Sequence, residues 1–141
     1  MKSKKSLQTQ ILICGLGGQG VLFLTRLINE AAVLMGEEVI SSETHGMAMR
    51  GWSVVSYVRI GTYTSPLIRA GQADVILSLA EQELALYAHL LKQNCQIYVN
   101  MPRGKKFWSA QDLEDAIRKH LPESLHHIPF RVDMARQDPR P

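Results

Sequence analysis

The sequence predicts an α/β fold of three layers, a mostly parallel twisted sheet with helices on both faces and a Rossmann-like first βαβ unit. Three observations predict it. A short apolar run, Ile11 to Cys14, gives way at a glycine-rich turn to residues spaced for a helix. A second apolar pair, Val39-Ile40, opens another strand, completing strand, turn, helix and strand within about thirty residues, the length of one βαβ unit. Farther along, Val75-Ile76-Leu77-Ser78-Leu79 is nearly continuous in apolar residues, as suits a strand covered on both faces. Strands alternating with helices imply a mostly parallel sheet.

Each element has its own signal. Val21, Leu24, Ile28, Ala31, Ala32 and Met35 recur at helical spacing, and Gly36 supplies a stop. Ser41 to Trp52 has no periodicity and is read as a loop. Ser53 to Ile60 alternates, with Val54, Val58 and Ile60 on one face and Ser53, Tyr57 and Arg59 on the less buried other. This strand follows its predecessor with no helix between, so it is the one expected to run antiparallel. Gly61 and Ser65-Pro66 mark a turn. Glu81 to Gln93 reads as a helix with Leu84, Tyr87, Ala88 and Leu91 on one stripe, and Glu81 and Glu83 in its first turn suit the helix dipole. Cys95 to Val99 is the next strand, closed by Asn100 and Pro102. After a basic loop, Arg103 to Lys106, Ser109 fits a helix N-cap with Asp112 three residues on. Leu113, Ala116, Ile117 and Leu121 form that helix's buried face. Ile128 to Val132 is a last, weak strand. The expected organisation is a flexible basic terminus (1–9), a single domain (10–133) and a Pro-rich tail (134–141).

Composition narrows the function classes. A chain of 141 residues fits one domain and buries roughly 70% of the surface its unfolded form exposes. With 45% hydrophobic and 21% charged residues it is globular rather than disordered. The net charge of +3 owes much to Lys2, Lys4 and Lys5, and no basic stripe with interleaved aromatics marks a nucleic-acid binder. No apolar run approaches the ~20 residues needed to span a bilayer, and Gln8-Thr9-Gln10 interrupts any signal peptide, so the expected location is the cytoplasm. The two cysteines, Cys14 and Cys95, each lie inside an apolar run, which suggests buried thiols rather than a disulfide. Iron–sulfur clusters are typically held by four thiolates, so this chain does not carry one alone.

Two stretches hold the chemistry. Gly15-Leu16-Gly17-Gly18-Gln19-Gly20 satisfies G-x-G-x-x-G directly after a strand and opening a helix. In such a turn the first glycine permits the bend, the second lets backbone approach a ligand, and the third lets helix and strand pack closely. The amides at the helix start, with its dipole, suit a phosphate or carboxylate, and packing alone is the plainer alternative. The second stretch, Ser42 to Ser53, carries Glu43, His45 and Arg50 between glycines. Glu43 and His45 form an acid–base pair on one reading. On the other, Glu43 and Arg50 pin the loop by a salt bridge while His45 caps it, and such structural ion pairs are the commoner case. Glu43 also lies near where a dinucleotide site wants an acidic residue, but the elaborate loop after it argues against NAD. Arg103, Lys105 and Lys106 beside Phe107 and Trp108 fit either a partner-docking loop or a phosphate tail. His126-His127 lacks the further spaced ligands of a metal site, and His89 and His120 are read as surface or boundary groups on helices.

The glycine turn with Val21-Leu22, the run Ser42 to Gly51 with Ser53-Val54-Val55, then Ser65-Pro66-Leu67-Ile68 and Gly71-Gln72-Ala73-Asp74, together resemble the γ-type domain of 2-oxoacid:ferredoxin oxidoreductases. Among these the chain looks most similar to the β subunits of indolepyruvate ferredoxin oxidoreductases. The resemblance implies a subunit of an enzyme that oxidatively decarboxylates a 2-oxoacid and passes electrons to ferredoxin. It implies that thiamine diphosphate, its Mg ion and the iron–sulfur clusters sit on partner subunits, that coenzyme A is a possible co-substrate, and that this chain alone is inactive. It also implies that the glycine turn and the Glu43–Arg50 loop line a surface near the shared active site. Trp52 departs from the small residue the family more often has there, and fits filling a groove or docking a partner. The family usually continues with further helical sequence beyond the last strand, so the tail is expected to reflect truncation, a shortened gene product or divergence. The alternatives are a free-standing NAD- or FAD-binding protein, and an interaction protein that keeps the loop for assembly alone.

Overall fold

The computed structural model describes residues 7–43, 52–101, 110–119, 121, 123 and 126–136. Its elements run β1 (Thr9–Leu16), α1 (Val21–Leu34), β2 (Val39–Glu43), β3 (Ser53–Ile60), β4 (Ala73–Ser78), α2 (Leu84–Tyr87), β5 (Leu91–Met101), α3 (Ala110–Lys119) and β6 (Phe130–Arg136). Among the described residues six strands form one sheet in the order β2-β3-β1-β4-β5-β6. The β1–β4, β4–β5 and β5–β6 pairs are parallel. As the missing helix before it foretells, β3 runs antiparallel to both β1 and β2.

This order modifies the first βαβ unit. β3 inserts between β1 and β2, so the two strands joined by α1 are not neighbours. Adjacent residues on β1 point to opposite faces, and the core divides accordingly. Ile13 faces α1 and packs with Val21, Ala32, Val54, Val58 and Ile60. Leu12 and Cys14 face the other way, among Ile76, Leu84, Leu91, Ile97, Ile117 and Leu121. Thus α1 covers one face while α2 and α3 cover the other. Toward solvent, α1 exposes Phe23 (72%), Leu27 and Leu34 (88%), spaced to lie on one side of the helix.

Several sequence expectations change. Glu81 to Gln93 is not one helix: 3-10 turns at Glu81–Glu83 and Ala88–Leu90 flank the single α turn of α2, and Leu91 already begins β5. Leu91 pairs with Ala73, and the register then shifts before Val75 meets Gln96. Asn94 makes the adjustment with φ 66°, and its amide donates to the Pro129 carbonyl at 2.6 Å. Strand pairing and burial of Leu90 and Leu91 override local helix propensity here. β6 extends to Arg136, past the expected end at Val132. At the other terminus the chain is anchored earlier than expected, since Thr9 pairs with Ile60 and the Leu7 amide donates to the Glu37 carboxylate at 3.3 Å. The Ser109 cap and the end of the tail lie outside the described residues.

Candidate functional site

The crossover through α1 lies on one face of the sheet, and the connections after β4 and β5 lie on the other. The carboxyl ends of β1 and β4 therefore flank the point where the winding reverses, which is where open α/β sheets bind ligands. The glycine turn leaves β1 at this point.

Its glycines divide the work differently from the sequence expectation. Gly15 is the close-packing position: a Cβ there would come within 2.9 Å of Gln19 Oε1 and 3.0 Å of both Leu79 Cβ and Val21 Cγ2. Gly20, expected to serve packing, has open space on its Cβ side but φ +99°, and it caps α1 in the left-handed region. Gln19 braces the turn, because the Leu16 amide donates to its Oε1 at 2.7 Å while its own amide donates to the Leu16 carbonyl. The Gly17 amide donates to the Trp52 carbonyl at 2.7 Å. Of the four amides from Gly17 to Gly20, then, those of Gly17 and Gln19 are engaged inside the fold. Gly18 and Gly20 are exposed, and the first amides of α1 have no acceptor within the helix. No side chain caps this helix end and no acidic residue occupies its first turn, which keeps it receptive to an anion.

Beside the turn, the Leu79 amide donates to the Cys14 carbonyl, and the Ser78 hydroxyl donates to the Ala80 carbonyl at 2.7 Å. Burial pushes the Cys14 thiol up to about 11, with the Ser78 hydrogen bond acting in the opposite direction. Burial likewise raises Cys95 to about 12 and Tyr87 to about 12. Both cysteines are free and buried on separate strands, so neither is poised as a nucleophile or cluster ligand. Glu83 is the residue missed from sequence. It is 6% exposed, and its Oε2 has no hydrogen-bond partner. An acidic residue on an apolar helix stripe would have been the signal, but the sequence reading placed it only as a dipole partner.

Other expected residues are partly located. Glu43 ends β2, half-buried; because β3 intervenes, it stands two strand spacings, roughly 10 Å, from β1. A dinucleotide fold places its ribose-binding acid on the strand adjacent to the glycine turn, so Glu43 does not fit that role. Trp52 precedes β3 and is 59% exposed. His45, Arg50, Arg103, Lys105 and Lys106 lie outside the described residues. Among the described residues no group of three His, Cys, Asp or Glu side chains is placed to hold a metal ion, and no helix is long and apolar enough to cross a membrane.

Comparison with known proteins agrees with this arrangement. The chain is 43% identical over 94 residues to the indolepyruvate oxidoreductase subunit IorB of Archaeoglobus fulgidus, covering 67% of this chain and 47% of that protein. It is 40% identical over 91 residues to the protein of the same name from Thermococcus kodakarensis, covering 64% of this chain and 45% of that one. The chain thus spans about half the length of the curated relatives it matches. Among solved structures, the pyruvate oxidoreductase subunit PORC of Thermotoga maritima superposes with a TM-score of 0.59 at 23% identity, over 83% of this chain and 57% of that one. The γ subunit of a keto/oxoacid ferredoxin oxidoreductase from Geobacter sulfurreducens gives 0.55 at 24% identity, over 89% of this chain and 60% of that one. These two share the fold. Residues 10–136 match the pyruvate ferredoxin/flavodoxin oxidoreductase family, and the chain belongs to that family.

Proposed function

We propose that this chain serves as the non-cluster-binding part of a 2-oxoacid:ferredoxin oxidoreductase, acting on a substrate such as indolepyruvate, with the main catalytic cofactors held by partner subunits. The family match over residues 10–136, on a chain with two cysteines, carries this reading. Two thiols do not fit the four-thiolate requirement of an iron–sulfur cluster, so electron transfer to ferredoxin runs through the partner. Thiamine diphosphate with its Mg ion, which supplies carbanion stabilisation when bound, belongs to the partner as well. On this reading the chain alone is inactive and works in the cytoplasm.

The chain's own contribution is a rigid surface at the winding reversal. The start of α1, which no side chain caps, orients with the exposed Gly18 and Gly20 an anionic group presented by a ligand or by the partner. Trp52, which is tied to the turn through its carbonyl, docks a partner beside it. Arg103, Lys105 and Lys106 add a partner-docking loop, or hold the phosphates of coenzyme A where the enzyme uses it. The exposed stripe Phe23, Leu27 and Leu34 supports assembly, because a free-standing monomer rarely leaves large apolar side chains grouped in water.

Anaerobic affinity purification of the native chain tests the reading. A stoichiometric partner with iron–sulfur absorbance and thiamine-dependent 2-oxoacid oxidation supports it. A colourless chain without a partner, retaining NAD or FAD, refutes it.

A further inference from the structure

At the opposite end of the sheet from the glycine turn, the segment between β3 and β4 folds around a cleft of about 550 Å³ lined by Arg59, Thr62, Tyr63, Thr64, Ser65 and Arg69. The eight residues of β1 separate the two ends by roughly 25 Å, so this cleft is independent of the surface described above. From these residues we infer a binding site for a small phosphate ester.

The charge distribution comes first. Arg59 and Arg69 both line this concavity, and among the described residues neither has a carboxylate partner. Two cations without a carboxylate partner raise the local positive potential, and a bound dianion offsets it. The nearest acidic residue in sequence, Asp74, is already engaged: it accepts from the Gln10 amide at 2.8 Å and pairs with Lys92 at 3.1 Å.

Preorganisation comes second. Arg59 is fixed in place, since its Nη1 donates to the Ser65 carbonyl at 2.7 Å and its guanidinium lies 3.9 Å from the centroid of the Tyr63 ring. Its Nε is buried without a hydrogen-bond partner. A guanidinium held this way presents its remaining Nη hydrogens at little further entropic cost. Ser65 is itself held, its Oγ accepting from the Leu67 amide at 3.3 Å. Thr62 and Thr64, also lining the cleft, carry hydroxyl groups able to donate. A phosphate group, with several acceptor oxygens and up to two charges, matches two guanidinium groups and surrounding hydroxyls better than a carboxylate does. Leu67, exposed at the rim, gives the organic part of an ester an apolar contact.

Titration calorimetry of the full chain with phenyl phosphate at low ionic strength provides the test. One site is expected, with benzoate at least tenfold weaker. Arg69→Gln, at an exposed position whose backbone bond to Gln72 the substitution spares, is expected to weaken phenyl phosphate about tenfold, the loss of one charge-assisted contact. Arg131→Gln, a cation on β6 away from the cleft, should leave the affinity within twofold. Arg59→Gln also removes the bond to Ser65 and risks the fold, so Arg69→Gln decides. No binding at millimolar phenyl phosphate, equal binding of benzoate, an unchanged affinity in Arg69→Gln, or equal losses in Arg69→Gln and Arg131→Gln would each overturn the inference.

Discussion

The Gly17 amide donates to the Trp52 carbonyl across 2.7 Å, tying the glycine turn to the residue that enters β3. The bond uses backbone atoms only, so it holds the turn whatever side chain stands at position 52. The Trp52 indole itself projects into solvent. Two roles therefore separate at one residue: its main chain shapes the turn, and its side chain is available to a partner. Trp52→Ala should change folding stability by no more than about 0.5 kcal/mol, as for other surface substitutions. It should instead weaken assembly by tenfold or more if the indole is a buried anchor of the interface. Urea denaturation and partner titration of the same variant check the two halves separately.

Gly15 and Gly20 are required for opposite reasons, and alanine at each should fail differently. Gly15→Ala drives a methyl against Leu79, Val21 and the Gln19 brace, an overpacking cost of about 1–3 kcal/mol. Gly20→Ala meets no neighbour, yet forces an L side chain into φ +99° at about 1–2 kcal/mol. Asparagine tolerates that backbone region better, so Gly20→Asn should recover part of the loss, whereas Gly15→Asn should be worse than Gly15→Ala. Denaturant midpoints of the four variants distinguish steric from conformational failure.

What the sequence made legible follows from which signals are local. The change of period at Gly15 to Gly20 located β1 and α1, and the apolar run at Val75 located β4, because burial on one or both faces writes itself into residue spacing. The antiparallel sense of β3 followed from the missing helix before it. Its position between β1 and β2 did not, since strand order depends on pairings distant in sequence. The stretch Glu81 to Gln93 misled because Glu, Gln, Leu and Ala favour helix, while the pairing of Leu91 with Ala73 wins in the folded chain. Asn94 held the clue, as one of the few residues that tolerate a positive φ. The arginine cleft stayed hidden for a similar reason: Arg59 looked like the solvent side of a strand, and nothing in its spacing brings Arg69 beside it.

Arg118 joins α3 to the start of β6. Its Nη1 donates to the carbonyls of His126 and Ile128, its Nη2 pairs with Glu114 at 2.9 Å, and its guanidinium lies 4.5 Å from the Phe130 ring centroid. Lysine keeps the charge but offers no planar fork to reach these partners together. Arg118→Lys is thus expected to cost about 1–2 kcal/mol, and Glu114→Gln, which spares both carbonyl bonds, less than about 1 kcal/mol. Hydrogen exchange should show the Arg118→Lys loss concentrated in β6, and an exchange pattern unchanged there would refute the assigned link.

The buried thiols set an alkaline limit on the fold. Burial raises Cys14 from 9.0 to about 11 and Cys95 from 9.0 to about 12, so the folded chain keeps protons that the unfolded chain releases. Below pH 9 both states are protonated at these groups and the stabilisation is fully present. As pH rises from 9 toward 11 the unfolded state binds fewer protons, and stability falls by about 1.4 kcal/mol per pH unit for each thiol. The loss from Cys14 is complete once pH passes its folded value, while that from Cys95 continues further. The informative quantity is the difference between the parent chain and Cys14→Ala. That substitution carries a packing cost constant with pH, and the gap between the two proteins should narrow as pH rises above 9. Urea midpoints under reducing conditions measure this gap. One that stays constant from neutral to alkaline pH would mean that the Cys14 thiol ionises as readily in the fold as outside it.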